Sequence, residues 1–540
     1  MARLRTLAVE RDVVDREFGA LCAPMDESLV TEVAVDESGE ASAAFVGVAG
    51  PFTSWSRRVL DLGPVGDPTQ GIRRSREEIS YSLGLGPWSP GFARLISRRL
   101  KRRALHTSTP VPWWSPPARL DAVPATVIAA AAVLAVLGGF LSALLPITLT
   151  FVSGDLGGRV SDQSVVLAVV RVGAVLTLGF MVLADRWGRR QVIRLALVAS
   201  AMAACLGGLS TSLVQVTISQ TIVRAGAAAG VLLLPVLAAE WVPPRARAWC
   251  VGVITMAGAL GAGMVVWLVP LADVSDSAWR WIWFGAALTI PATLATVARL
   301  PESERFVSAE AHRDQLAHPP DPGPRAGSPA QEAEPEAGGH IRARRLALVG
   351  AIAFSLNAFV APVSQLQNEY IRTERGFSAT LLTIFIIGTN TWGGIGVVVG
   401  GRLADRIGRK RVAVVGLLGI ASGNAVMYSV SGWPMWVASV VGSVLGALTI
   451  PALGVLGPEL FPTGRRGTAN GWLNGAGVIG GAAGLLVIGQ LIGRWGYGWS
   501  FTALTVGPLV VIGLLRWIPE TAGLELEEIN DADFDDEAHA

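Results

Sequence analysis

The octapeptide "LADRWGRR" occupies residues 183–190, and "LADRIGRK" occupies residues 403–410. These charged segments stand 220 residues apart in a 540-residue chain that is 51% hydrophobic and only 16% charged. Two further pairs of segments share nearly the same offset: "EWVPPRARA" (240–248) with "ELFPTGRRG" (459–467), and "PES" (301–303) with "PET" (519–521). Three repeated segments with one offset indicate a duplicated structural unit.

Twelve apolar runs fill the sequence between residues 123 and 518. Each is about 20–30 residues long, enough for a helix rising 1.5 Å per residue to cross a hydrocarbon core of about 30 Å. Buried helices of a soluble protein are a poor explanation for twelve almost uncharged runs in succession. The sequence therefore predicts an all-α membrane protein with twelve transmembrane helices in two units, 123–300 and 345–518. The runs are 123–152, 163–184, 191–210, 213–238, 249–272, 280–300, 345–367, 379–401, 411–430, 433–457, 469–492 and 498–518.

The basic residues of the short loops predict the orientation. If the N-terminus is cytoplasmic, the inner loops hold twelve Arg and Lys residues and the outer loops hold five, which favours both termini inside. The near-exclusive use of arginine, together with the Ala, Gly and Val richness, points to a bacterial inner membrane. Three pieces are then cytoplasmic: a partly disordered extension (1–120), a linker (301–344) and an acidic tail (519–540).

One segment of the extension, "FARLISRRLKRRAL" (92–105), combines apolar and basic residues. Phe92, Leu95, Ile96 and Leu100 fall on one helical face with six basic residues around them. Such a helix either lies on anionic lipid or is a plain positive flank of the first span.

The repeated segments also carry a family resemblance. "GGRLADRIGRKR" (400–411), "PELFPTGRRGTANG" (458–471) and "PESERF" (301–306) resemble the major facilitator superfamily, in particular its sugar-porter and metabolite–proton symporter branches. The resemblance implies two pseudo-symmetric six-helix bundles that transport a solute by alternating access. It also implies a cytoplasmic gate built from charged clasps. The gate residues are Asp185, Arg186, Arg189, Glu240 and Arg247 in the first unit, and Asp405, Arg406, Arg409, Glu459 and Arg466 in the second.

Two arginines lie at membrane depth, Arg171 in the second run and Arg224 in the fourth. No Asp or Glu lies in the membrane interior of the first unit, so both guanidinium groups should face a cavity or a partner. They suit the carboxylate or phosphate of an anionic substrate, or else they bind carbonyl groups and water. Other residues that orient a ligand, or that simply join helices by hydrogen bonds, are Asn357, Gln365, Asn390, Trp392 and Asn474. The nearest acids for coupling to protons are Glu369 and Asp155.

Other classes of function find little support. Neither lysine follows a glycine, as a phosphate-binding loop requires, and the three cysteines have no metal-ligand spacing. No catalytic motif appears, so we expect no enzyme activity, no cofactor, no metal and no nucleic-acid partner. The predicted partners are protons, membrane lipid and a small polar solute, an organic anion or a sugar. Proton-coupled uptake is the leading interpretation. An exporter of the same fold, or a non-transporting receptor that signals through residues 1–120, is the alternative.

Overall fold

A computed structural model describes residues 4–25, 29–35, 42–65, 71–105, 116, 118–302, 343–454, 466–518 and 520. The predicted linker and acidic tail therefore lie almost wholly outside the described residues. The N-terminal extension contains five antiparallel strands in the order β1-β5-β4-β3-β2. They are β1 (Arg5–Val14), β2 (Thr31–Val35), β3 (Ala43–Ala49), β4 (Phe52–Pro64) and β5 (Ile72–Leu83), with helices α1 (Asp15–Leu21) and α2 (Ser89–Leu105).

The sequence analysis did not predict this sheet, which restricts the all-α description to the membrane region, while partial disorder of the extension stays a prediction. The strands were hard to recognise in the sequence because charged residues are buried inside the sheet. Arg57 is only 1% exposed and contacts Glu32 at 2.7 Å and Glu77 at 3.3 Å, while both acids are also buried. A buried ion cluster of this kind breaks the alternation of apolar and polar residues by which a strand is recognised.

The first bundle is helical from residue 122 to residue 297. Apolar side chains dominate it throughout, since helices in lipid satisfy their own backbone groups and need no polar surface. Its helices are α3 (Ala122–Asp155), α4 (Val160–Gly173), α5 (Thr177–Trp187), α6 (Arg189–Gly207), α7 (Leu213–Trp241), α8 (Arg247–Leu268), α9 (Trp279–Phe284) and α10 (Thr289–Val297).

The second bundle begins at residue 343. A π-helical turn follows its second helix. Its helices are α11 (Ala343–Gln365), α12 (Gln367–Glu369), α13 (Ala379–Asn390), α14 (Gly393–Ile407), α15 (Arg409–Ser429), α16 (Trp433–Ala447), α17 (Thr449–Gly454), α18 (Arg466–Leu504) and α19 (Val506–Leu514). Arg189 and Arg409 begin their helices at one end of the two bundles, which we call the motif end.

Ten helices in the described residues are long and apolar enough to cross a membrane. The predicted run 280–300, which contains α9 and α10, is not among them. The two runs 469–492 and 498–518 fall within one continuous segment, 471–517, which bends at Gly496, where φ is +72°. The number twelve therefore stays a prediction.

The internal repeat is visible in the helix packing. A Cβ at Gly261 of α8 would lie 1.9 Å from the carbonyl oxygen of Val136 in α3. A Cβ at Gly480 of α18 would lie 2.2 Å from the carbonyl oxygen of Phe354 in α11. Phe354 follows Val136 by 218 residues and Gly480 follows Gly261 by 219, so the same glycine crossing occurs at the sequence offset of the motifs. Only glycine allows two membrane helices to approach this closely.

Candidate functional site

Arg171 lies in the last turn of α4, where it reaches the second bundle. Its Nη2 donates a hydrogen bond to Asn357 Oδ1 of α11 at 2.7 Å, while its buried Nε has no partner. The guanidinium packs on the backbone of Gly481, where a Cβ would come within 2.3 Å of Nε. Glycine at this position therefore makes room for a charged group between the bundles.

Arg224 of α7 lies close enough for its positive charge to act on Arg171. It is half-buried and forms no hydrogen bond or ion pair with any residue that the structure describes. One turn earlier, Gln220 is 2% exposed and its amide nitrogen also has no partner. Two neighbouring guanidinium groups without a carboxylate are an arrangement that an anion would stabilise.

A cavity of about 670 Å³ extends from Asn357 towards the motif end of the second bundle. Its walls include Asn474, Thr449 and Ser443 among aliphatic side chains. The structure therefore brings Asn357 and Asn474 to one cavity, with Arg171 hydrogen-bonded to one of them.

The other predicted ligand residues are not part of this cavity's wall. The exposed Trp392 donates its indole N–H to the carbonyl oxygen of Gly388 at 2.9 Å. Asn390 is also exposed, and its side-chain oxygen contacts only the neighbouring Thr389 hydroxyl, at 3.3 Å. Gln365 lies at the last residue of α11, on the side of Asn357 away from the motif end.

At the end opposite the motifs, the two bundles are joined by polar contacts. Thr150 of α3 donates a hydrogen bond to the buried carboxylate of Glu369, and Asn368 donates to the carbonyl oxygen of Ile147 at 3.3 Å. The carboxylate of Asp273 accepts the backbone N–H groups of Ala379 and Thr380 at 2.7 and 2.8 Å, at the start of α13. These contacts close this end, while the cavity reaches the motif end.

The two predicted proton-coupling acids differ in their surroundings. Asp155 pairs with Arg280 at 3.1 Å and accepts the indole N–H of Trp279 at 3.0 Å, all within the first bundle. Glu369, in contrast, forms no ion pair with a described residue. The guanidinium of Arg372 lies 4.0 Å from the ring centroid of Phe151 and interacts electrostatically with Glu369.

The predicted gate is partly described. In the first unit Arg189 forms an ion pair with Glu240, whose second oxygen is buried without a partner. Arg186, Arg247 and Arg406 are exposed, and Arg409 begins α15. The predicted gate residue Glu459 and the side chains of three others lie outside the described residues: Asp185, Asp405 and Arg466.

Two glutamates at the motif end were not singled out as functional residues from the sequence. Glu302 accepts the backbone N–H of Arg190 at 3.1 Å, and Glu520 accepts those of Arg409 and Lys410 at 2.9 and 3.1 Å. Both carboxylates thus cap a helix that begins after a motif glycine, where the helix dipole is positive. The signal was the repeat of "PES" and "PET" at the same offset as the octapeptides.

Comparisons with known proteins agree with this architecture. A family model described as "Major Facilitator Superfamily" matches residues 128–400 and 346–532. The chain is 24% identical to the glucose transporter GlcP of Staphylococcus epidermidis, over 74% of this chain and 95% of that protein. It is 23% identical to a cis,cis-muconate transport protein of Acinetobacter baylyi, over 59% of this chain and 76% of that protein.

A solved structure supports the fold independently. The xylose transporter XylE from E. coli, in an inward open conformation, superposes with a TM-score of 0.60 at 17% identity. The superposition covers 75% of this chain and 99% of that one.

Proposed function

Because the chain belongs to the Major Facilitator Superfamily and is a membrane transporter, we propose that it takes up a small organic acid together with protons. The observation that carries the proposal is the pair Arg171 and Arg224. Both charges lie within membrane helices, and neither is paired with a carboxylate among the described residues. An isolated charge at the centre of a bilayer costs about 2.5–3.5 kcal/mol even on the lenient insertion scales, and an anionic ligand offsets that cost.

The cavity suits a solute of this size. Small-molecule sites commonly enclose about 300–1,000 Å³, are mostly apolar and carry few polar groups. The cavity of about 670 Å³ matches this description, with Asn357 and Asn474 as amides that orient a ligand. Arg171 and Arg224 would bind the carboxylate from the side of the first bundle. Gln365, Asn390 and Trp392 would reach a ligand only in another conformation.

The contacts between the bundles support alternating access. The described conformation is closed by Glu369 and Asp273 at one end and carries its cavity towards the motif end. The positive-inside bias predicts that the motif end is cytoplasmic, and on that basis we interpret the conformation as inward-facing. The outward-facing state would close the motif end through the predicted clasps. Arg189 and Glu240 are the pair already in contact in the first unit.

Glu369 is our candidate for the proton-linked group. It is 5% exposed between the bundles, accepts the Thr150 hydroxyl, and has Arg372 and Tyr497 as the charged or titratable groups around it. Opening of the outer end would break its contact with Thr150, so the surroundings of this carboxylate would change with the conformation. Asp155 is the weaker candidate because Arg280 already neutralises it.

The competing functions differ in what they leave unexplained. A sugar porter uses the same fold, as the xylose transporter XylE shows, but a neutral sugar does not balance two guanidinium charges. A receptor would use the folded extension as a signalling arm, but would not need clasps that repeat in both units. An exporter would share all the residues above and differ only in the direction of net flux.

The test combines binding with uptake. The purified protein is screened by thermal shift against cis,cis-muconate, gallate, glucose and myo-inositol, and the solutes that bind are measured for uptake into proteoliposomes. We expect stabilisation and uptake by an acid, and loss of both in Arg224→Gln. Arg194→Gln, which removes an exposed arginine of α6, is the control. Stabilisation by sugars alone would refute the anionic substrate, and binding without uptake of any solute would favour the receptor.

A further inference from the structure

The extension is attached to the membrane bundle by a short segment just before α2. The indole N–H of Trp88 donates to the carbonyl oxygen of Ala129 at 3.1 Å, and Leu85 and Trp88 pack against the core of the bundle. Ala129 lies seven residues after the start of α3, about 10 Å along the helix. Helix α2 therefore begins at the level of the motif end of the bundle, where lipid headgroups surround the first span.

Helix α2 stays close to that level. Its buried residues Ala93, Ile96 and Leu100 belong to one apolar core with Phe52 and Leu83. Phe52 begins β4, Leu83 ends β5, and Gly84 follows directly, so this core includes the end of the sheet next to the bundle. The opposite face of α2 is turned away from the sheet.

That other face combines apolar and basic side chains. Phe92 and Leu95 are 41% and 42% exposed, although they are large and apolar. Arg94, Arg98 and Lys101 are exposed around them, and no described acid pairs with any of the three. The whole helix contains no Asp or Glu.

The arginines of the neighbouring sheet are in a different situation. Arg73 contacts Asp15 at 2.6 Å, and Arg74 donates to Asp12 at 2.8 Å. The hydrogen bond from Arg74 holds the pKa of the Asp12 carboxyl below its usual range. Acids thus balance the surface charge of the sheet, and unbalanced positive charge is concentrated on the exposed face of α2.

We propose that the exposed face of α2, formed by Phe92, Arg94, Leu95, Arg98 and Lys101, binds anionic phospholipid headgroups of the leaflet at the motif end. The two apolar side chains enter the boundary between headgroups and acyl chains, and the cations contact lipid phosphates. This surface anchors the extension to the membrane, so that α2 holds the sheet beside the first span whatever solute the bundles carry.

The test measures the depth of single positions in the full-length protein. Cys22, Cys205 and Cys250 are replaced by serine, and Leu95→Cys is labelled with an environment-sensitive fluorophore in nanodiscs containing anionic phosphatidylglycerol. We expect blue-shifted emission, and quenching by brominated lipid at least twice that at the control position. The control is Leu62→Cys, because Leu62 is 49% exposed and lies ten residues along β4 from Phe52, about 33 Å away from the membrane-proximal end.

The role of charge is tested separately. Replacing Arg94, Arg98 and Lys101 by glutamine should reduce the quenching at position 95 at least twofold, whereas Arg74→Gln should leave it unchanged. Raising the salt concentration should also reduce the quenching at position 95, and this arm leaves Arg94, Arg98 and Lys101 in place. The proposal is overturned by equal quenching at positions 62 and 95, or by quenching that is the same in neutral phosphatidylcholine. It is also overturned if the emission at position 95 shifts to the blue only when DNA or an acidic protein is added.

Discussion

Replacement of Arg224 by glutamine should affect binding and stability in opposite directions. In the structure Arg224 has no described partner, so the substitution removes no hydrogen bond of the empty protein. A hydrogen bond to a charged group contributes about 1.5–3 kcal/mol, and each 1.4 kcal/mol is a factor of ten in affinity. The dissociation constant of an acid bound to this side chain should therefore rise about 10- to 150-fold.

The same change should not destabilise the protein. An unpaired arginine at membrane depth carries an insertion cost of about 2.5–3.5 kcal/mol, which a neutral glutamine largely avoids. The melting temperature of the empty protein should stay the same or rise. Arg224→Lys should keep the charge and still lose affinity, because a compact ammonium cannot form two parallel hydrogen bonds to a carboxylate.

The assay is calorimetric titration of the tightest-binding acid of the screen and of its neutral amide, followed by thermal unfolding in detergent. Arg280→Gln is the matched control, because Arg280 has an acid partner in Asp155. This substitution should lower the melting temperature and leave the affinity for the acid unchanged. Unchanged affinity for the acid together with a lower melting temperature in Arg224→Gln would show that Arg224 is a structural residue, and the reasoning would fail.

Three other changes have definite expected outcomes. Glu369→Gln should weaken the contact with Thr150 and make a cysteine at the outer end more accessible to a reagent, and unchanged accessibility would exclude Glu369 as a residue that closes this end. Glu520→Gln should destabilise the protein by about 0.5–2 kcal/mol because a charged helix cap is lost, with thermal unfolding as the measurement and Arg406→Gln as an exposed control. Asp405→Asn should weaken the predicted clasp and lower uptake at unchanged expression; full uptake with unchanged accessibility of an outer cysteine would contradict it.

The membrane helices were predictable because their signal is local. A run of twenty uncharged apolar residues has few alternatives, and the repeated octapeptides identify the fold family. The break between the last two runs was also visible in the sequence, because Arg494 interrupts the apolar residues there. Gly496, with φ in the left-handed region, kinks the helix within this break. The sheet was not predicted because Arg57, Glu32 and Glu77 are buried in it but look like surface residues in the sequence.

The site depended on information that no local pattern contains. Arg171 and Arg224 stood out because charge is rare at membrane depth. That Arg171 meets Asn357, 186 residues later, while Trp392 does not line the cavity, depends on the rotation of each helix in its bundle. Glycines set part of this geometry, because Gly481 leaves the space into which the Arg171 guanidinium packs. Polar residues alone could nominate candidates but could not select among them.

Solute uptake into proteoliposomes tests the central claim most directly. With the protein oriented and a pH gradient imposed, acid outside, the account predicts that an organic acid accumulates above its equilibrium concentration. The neutral amide of that acid should not accumulate, and Arg171→Gln and Arg224→Gln should each abolish most of the uptake. Accumulation of a neutral sugar with both variants fully active, or no uptake of any solute by a protein that still binds one, would contradict it.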